Sequence, residues 1–282
     1  MTQQALIYQI FYNDRTRVEL DPGFMRLDNM ANLRPDWSEY WPIREFLLSR
    51  RLRRDTLYGF FSPKFGVKTG LDSSAVYQFM AEEEADVFLF SPFFDQSAVP
   101  LNIFVQARLQ HPDAPRLFAR VLGMLAPGVD PLRLVMDSRQ VVFCNYFVAR
   151  AAFWQRWIEL CEPIFRLCEA GRTSLGARLC EPIPHDGGTH PAKVFLIERV
   201  ASFILATESR WKVRAYDPAL LPLSGSAPAR FSEVFRQLDT LKQAWRAEQD
   251  PRHLHEFQAL RLSLVSQIAA SPRHHPQDFR SD

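Results

Sequence analysis

Glycine is scarce in this chain, with 11 residues against 20 prolines in 282. That argues against a site built on glycine-rich phosphate loops, and neither a GxGxxG stretch nor a GxxxxGK followed by Ser or Thr occurs. Charge of one sign is also lacking. The formal net charge of +2 is too small for a dedicated nucleic-acid binder. The four cysteines, Cys144, Cys161, Cys168 and Cys180, match no zinc spacing and read as core thiols of a reducing compartment. No apolar run reaches the length of a membrane span. The opening MTQQALIYQIFYND has neither the basic region nor the cleavage site of a secretory leader, so the expected location is cytoplasmic.

Aromatic residues are abundant: 23 Phe, six Trp and seven Tyr. With 47% hydrophobic and 23% charged residues, the composition is that of a folded globular protein. The length suits one large α/β domain or a domain with an appendage. Apolar, β-rich runs at Ala5 to Asp14, Thr56 to Ser62 and Ala85 to Ser91 read as buried strands, with others at Gln140 to Ala149 and Trp211 to Tyr216. Helical patterns separate them, among them an Asp-Ser-capped stretch from Asp72 and a stripe of Trp154, Trp157, Cys161, Ile164 and Cys168. Two long segments, Leu20 to Ile43 and Gly176 to Ala192, read as loops, and Ala192 to Ala206 as one apolar helix. Residues 1–220 therefore form one α/β domain with a mainly parallel sheet. A linker from Leu221, two helices and a frayed tail fill 221–282.

Ligands of such sheets bind at the carboxyl ends of the strands. Ser62-Pro63-Lys64 and Ser91-Pro92 both fall there, with Asp95 just beyond. Neither serine lies in a GxSxG elbow, so neither reads as a nucleophile. Glu84 and Asp86 have the spacing of a metal-binding acid pair but precede their strand, at the wrong edge. His185, Asp186 and His190 could hold a metal, although a flexible loop is the commoner meaning of such a stretch. His111 could contact a ligand or act as a base, or simply cap a turn. RPDWSEYWPIR offers Trp37 and Trp41 for stacking and Asp36 and Glu39 for hydrogen bonding, against plain anchoring of a loop. Arg50, Arg51, Arg53 and Arg54 read as a solvated helix end, with an anionic lipid surface as the alternative. Glu198 and Arg199 interrupt an all-apolar helix, and a buried charge must be paired or functional.

Taken in order, ALIYQIFYND, LYGFFSPKF, ADVFLFSP, QARLQHPDAPRLFARVL, CNYFVARAAFWQRW and HPAKVFLIERVASFILA resemble the glycosyltransferase-like domains of bacterial capsule and O-antigen loci, many annotated only as domains of unknown function. The resemblance spans about Ala5 to Tyr216. It implies a GT-A-like fold, a Rossmann-type mixed sheet flanked by helices, whose first half binds a nucleotide sugar and whose second half binds the acceptor. On that basis Tyr8, Gln9 and Tyr12 meet the nucleobase. Ser91, Pro92 and Asp95 sit where that fold carries metal-binding acids. Asn145 and Tyr146 fall on the acceptor side with Trp37, Glu39, Trp41 and His111, and Glu198 with Arg199 lies on the following helix. The chain has no Asp-x-Asp pair, so no residue is assigned to a metal, and use of Mn²⁺ or Mg²⁺ with the donor stays open.

The implied reaction moves a sugar from a nucleotide donor to a surface glycan or glycolipid, with peripheral contact to the inner membrane open. Lys64, Lys68, Arg44 and Arg199 would meet the diphosphate charge, and Asp95 or Glu198 would deprotonate the acceptor hydroxyl. The alternative is a non-catalytic glycan-binding or scaffold module of a polysaccharide-assembly complex.

Overall fold

The computed structural model describes residues 4–109, 111–185, 188–225 and 228–270. The expectations for Asp186 and for the tail from Ser271 lie outside them. Strand β1 (Ala5–Phe11) is followed by the short helix α1 (Asp14–Val18), capped reciprocally by Asn13 and Thr16. The segment from Leu20 to Ile43 is not one irregular loop. It contains a parallel edge strand, β2 (Met25–Asp28), a 3₁₀ turn at Pro35–Trp37 and the start of α2 (Tyr40–Ser49). The three short pieces escape a periodicity test because none is long enough to display a period.

Strand β3 (Leu57–Phe61) is buried throughout, as a central strand covered on both faces should be. Helices α3 (Phe65–Thr69) and α4 (Ser73–Glu82) follow, the second capped by Asp72 as its sequence requires. Beyond β4 (Val87–Leu89) come α5 (Phe94–Ala98), α6 (Ile103–Gln106) and α7 (Ala114–Leu125). Strand β5 is only Phe147–Arg150, not Gln140 to Ala149, and it leads directly into α8 (Ala151–Glu169). The second expected loop holds α9 (Ser174–Cys180) and a hairpin of β6 (Pro182–His185) and β7 (Gly188–Pro191). The single apolar helix is in fact two, α10 (Ala192–Glu198) and α11 (Val200–Thr207), parted at Arg199. A last strand, β8 (Val213–Ala215), precedes α12 (Ser232–Glu248) and α13 (Pro251–Ala270).

The sheet order is β2-β1-β3-β5-β4-β8. Strand β1 is parallel to β2 and β3, and β4 is parallel to β8. Strand β5 runs antiparallel to both β3 and β4, so the sheet is mixed. An apolar run carries no signature of direction, which is why the reversal is invisible in the sequence. The chain leaves β1 to one side for β2 and then crosses to the other side for β3, which makes a topological switch point beside the carboxyl end of β1. Large apolar clusters cover both faces of the sheet. Cys161 and Cys168 are buried as expected, but Cys180 is exposed. Among the described residues no helix is long and apolar enough to cross a membrane.

The arginine run lies beyond the end of α2, in the connection into β3, and hence at the amino ends of the strands. Arg50 sits over the Phe46 ring and Arg53 pairs with Asp55. Asp86 is at the same edge, where it pairs with Arg150 and accepts from the Lys212 N–H.

Helices α12 and α13 rest on α5 through a separate cluster of Phe94, Ala98, Phe231, Phe235, Leu238, Phe257 and Leu264. Polar locks surround it. Asp239 accepts from Ser138 at 2.7 and 2.8 Å, and the buried Lys242 ammonium donates to the carbonyls of Ser97 and Pro100. Burial lowers the Lys242 pKa to about 8. Phe235→Ala should cost about 3–5 kcal/mol in urea denaturation because Phe235 is fully enclosed. Truncation after Gly225 should give an insoluble or strongly destabilised protein. A soluble truncation of undiminished stability would mean instead that the helix pair is detachable.

Candidate functional site

The cleft of about 350 Å³ at the carboxyl ends of β1 and β3 is lined from six directions. Ile10 and Tyr12 come from the end of β1, and Asn29 and Asn32 from the turn after β2. Ser62, Pro63, Lys64 and Lys68 come from the end of β3 and from α3. Because β5 is reversed, the residues before it, Cys144 and Asn145, arrive at this same edge. Ser38 and Glu39 form another wall, and His185, His190, Phe195 and Glu198 close the side formed by the hairpin and α10.

The wall around Glu39 is held by charges. Arg34 bridges Asp36 and Glu169, Lys193 donates to Asp36 at 2.5 Å, and the Trp37 indole N–H donates to Glu169 at 3.0 Å. Burial acts to raise the Asp36 pKa, but Arg34 and Lys193 outweigh it and hold the carboxyl at about 2. The wall after β3 is held by Gln9. Its amide N–H₂ donates to the carbonyls of Ser62 and Pro63, and its oxygen accepts from the Asp21 N–H at 2.9 Å. Beneath the floor the Tyr146 and Ser62 hydroxyls are hydrogen-bonded at 2.6 Å.

Backbone strain concentrates at the cleft. Six non-glycine residues among the described ones have positive φ, and four of them line it: Asn32, Ser38, Cys144 and Asn145. Each such residue costs on the order of 1–2 kcal/mol, so their clustering marks the site independently of its chemistry.

The charged groups are Glu39, Lys64, Lys68 and Glu198. Loss of hydration drives the Glu198 pKa up to about 7. Arg199 and Lys68 lower it in part, and Glu39 adds to the rise. Burial opposes the charge of Lys68, but the neighbouring Cys144 sulfur at 3.1 Å and the carboxylates outweigh it and keep the ammonium charged. Burial pushes the Cys144 thiol up to about 12, so it is no nucleophile at neutral pH.

Of the residues singled out from sequence, the structure brings Tyr12, Glu39, Ser62, Pro63, Lys64, Lys68, Asn145, His185, His190 and Glu198 together, with Tyr146 directly below. The others do not line the cleft. Tyr8 shares the face of Ile10 and Tyr12 but lies farther back along the strand, packed on Phe46 and Phe60. Gln9 is the clamp described above. Arg44 binds Glu162 at 2.5 Å and lies over Phe165, tying α2 to α8. Ser91 accepts from the Phe143 N–H. Asp95 holds the backbone N–H and hydroxyl of Ser224, at 2.9 and 2.5 Å. Arg199 points inward, donating to the carbonyls of Ile103 and Phe195 and to Gln106. Trp37 is core beneath Lys193, and Trp41 packs against Phe165, Arg34 and Arg44. His111 accepts from the Asp113 N–H in a local turn.

Sequence reasoning missed Asn29, Asn32, Ser38 and Cys144, and it gave His185 and His190 only a metal or loop role. The two imidazoles and Phe195 instead form an edge-to-face aromatic wall, with His185 at 5.0 Å from Phe195. Among the described residues, the three-ligand grouping is Glu248, Asp250 and His253, at the turn between α12 and α13. Arg252 occupies Asp250, and His253 pairs with Glu248. The acids and histidines of the cleft do not converge in this way, so the described residues do not fit a metal seat there.

No family model, curated protein or solved structure matches the chain.

The Glu198 pKa has a consequence for stability. A carboxyl raised from its ordinary value of 4.5 to about 7 binds more protons folded than unfolded between those values. Its stabilising contribution is complete below about 4.5 and is lost as pH rises through about 7. Glu198→Gln cannot ionise, so its melting temperature relative to wild type should climb between pH 5 and pH 8. A constant difference across that range would show that Glu198 titrates normally.

Proposed function

We propose that this protein is a glycosyltransferase that moves a sugar from a nucleotide-diphosphate donor to a hydroxyl of a surface glycan of capsule or O-antigen type. The observation that carries the reading is the desolvated Glu198 carboxyl in a cleft at the strand carboxyl ends, its pKa near 7, with Lys64 and Lys68 in the same lining. A base poised near the working pH is the most effective proton acceptor. Support also comes from the switch point beside β1, where open α/β sheets place their ligands. A GT-A-like arrangement is the fold this reading entails.

In the proposed step Glu198 accepts the proton of the acceptor hydroxyl as its oxygen bonds to the anomeric carbon. The bond from that carbon to the donor phosphate oxygen breaks, and its electron pair leaves with the nucleoside diphosphate. Lys64 and Lys68 take up the charge of that leaving group. Tyr12 and the wall of His185, His190 and Phe195 supply flat faces for the base and the sugar rings. No step runs through Mn²⁺ or Mg²⁺.

The test is hydrolysis and transfer with a panel of UDP, GDP and CMP sugars, with and without Mn²⁺. Turnover should rise with pH to a plateau, with a midpoint near 7. Glu198→Gln should lower it by about 10²–10⁴ while the protein stays folded. Lys68→Met should weaken nucleoside diphosphate binding in calorimetry. Binding without turnover would favour the non-catalytic glycan-binding module, and absence of nucleotide binding would overturn the reading.

A further inference from the structure

Asn145 is buried, with 4% of its surface exposed, yet its side-chain oxygen has no hydrogen-bond donor. The residue lines the cleft, and its backbone is held left-handed at φ 55°, next to Cys144 at φ 57°. Buried polar atoms are almost always satisfied, and an orphan in a cleft calls for a group brought by the ligand. The two left-handed residues form a primed turn closed by the Tyr146 N–H, which donates to the Phe143 carbonyl at 3.1 Å. Asparagine tolerates that conformation better than most residues, which accounts for its identity here.

The missing group must be a donor. A diphosphate near neutral pH offers acceptors only and cannot satisfy the oxygen. The neighbouring lining groups Glu39 and Glu198 are carboxylates, which also accept when ionised. The cation of this region is Lys68, whose ammonium donates to the Cys144 sulfur at 3.1 Å and interacts with Glu39 and Glu198. A nucleobase edge mixes donors with acceptors. A sugar ring carries several O–H donors around its rim.

We propose that the Asn145 side-chain oxygen receives a hydroxyl of the sugar ligand bound in this cleft. Asn145 is then the residue that orients the sugar and selects for a hydroxyl at one ring position. This inference rests on the sugar-transfer reading of the cleft and goes further by assigning one hydrogen bond between the protein and the sugar.

The experiment titrates glucose, galactose, mannose and N-acetylglucosamine into the full chain by saturation-transfer NMR, with UDP, GDP and CMP titrated separately by calorimetry. Asn145→Gly is the informative variant, because glycine adopts the same backbone conformation and removes only the amide. It should fold with undiminished stability, weaken binding of the preferred sugar about tenfold or more, and leave nucleotide binding unchanged. Asn145→Asp keeps an acceptor and should retain most of the sugar affinity. Failure of the wild-type chain to bind any of the four sugars would overturn the assignment. So would an Asn145→Gly protein that binds them as tightly as wild type. Sugar binding that depends on Asn145 in a chain that binds no nucleotide would leave the subsite standing and remove the nucleotide-sugar reaction instead.

Discussion

Strand β5 enters the sheet backwards between β3 and β4, and the arrangement of the cleft follows from that reversal. In an all-parallel sheet, every strand would bring its carboxyl end to the ligand-binding edge. Here one strand brings its amino end instead, so the residues just before Phe147 meet the residues just after Phe61. The hydroxyl pair of Tyr146 and Ser62 joins those two ends. Reaching this position requires the chain to turn through Cys144 and Asn145 in left-handed backbone. The reversal therefore brings both the strain and the amide that the strain presents. It also leaves α8 to start immediately at the opposite edge, where its stripe of Trp154, Trp157 and Cys161 fills the core beneath β3 and β5.

Charge inside the protein divides into two kinds. Asp36, Lys193, Arg34 and Glu169 are mutually paired, and burial is offset by partners within hydrogen-bonding distance. They fix the cleft wall without being consumed by any ligand. Glu198 and Arg199 follow the opposite pattern. Neighbours on the chain, they diverge where the helix breaks, one toward the cleft and the other into carbonyl oxygens of the interior. Arg199 is thereby satisfied by the protein, although burial lowers its pKa to about 10. Glu198 keeps its polar end for the cleft.

Much of this was legible in the sequence where a residue's own surroundings decide its fate. The apolar runs of β1, β3 and β4, the Asp72 cap and the aromatic stripe of α8 all follow local rules. Glu198 stood out because a carboxylate in KVFLIERVASFILA contradicts its neighbours. What was not legible depends on partners distant in the chain. Asp95 has the right chemistry for catalysis, but Ser224, 129 residues later, claims it. Arg44 is taken by Glu162, 118 residues away, and Arg199 by Gln106, 93 residues back. A side chain's chemistry can be read from its letter, but its availability cannot. In the loop of Asn29 to Glu39 the carboxylate of Glu39 was legible, but the part played by Asn32 and Ser38 was not. That part rests on φ values of 38° at Asn32 and 47° at Ser38, which no periodicity encodes.

The locks that hold α12 reach back across the chain to α5 and to the turn before β5. Asp95 meets Ser224, Asp239 meets Ser138 across 101 residues, and Lys242 meets Ser97 across 145. Each closes a loop that contains β5 and β8, and such contacts stabilise the chain only after those two strands have paired. The last quarter of the polypeptide therefore docks fully only once β5 and β8 have joined the sheet. On a ribosome, where the carboxyl end emerges last, this order is also the order of synthesis. Phe94 and Ala98 would then stay uncovered until α12 arrives, an interval in which the nascent chain is open to aggregation or to a chaperone.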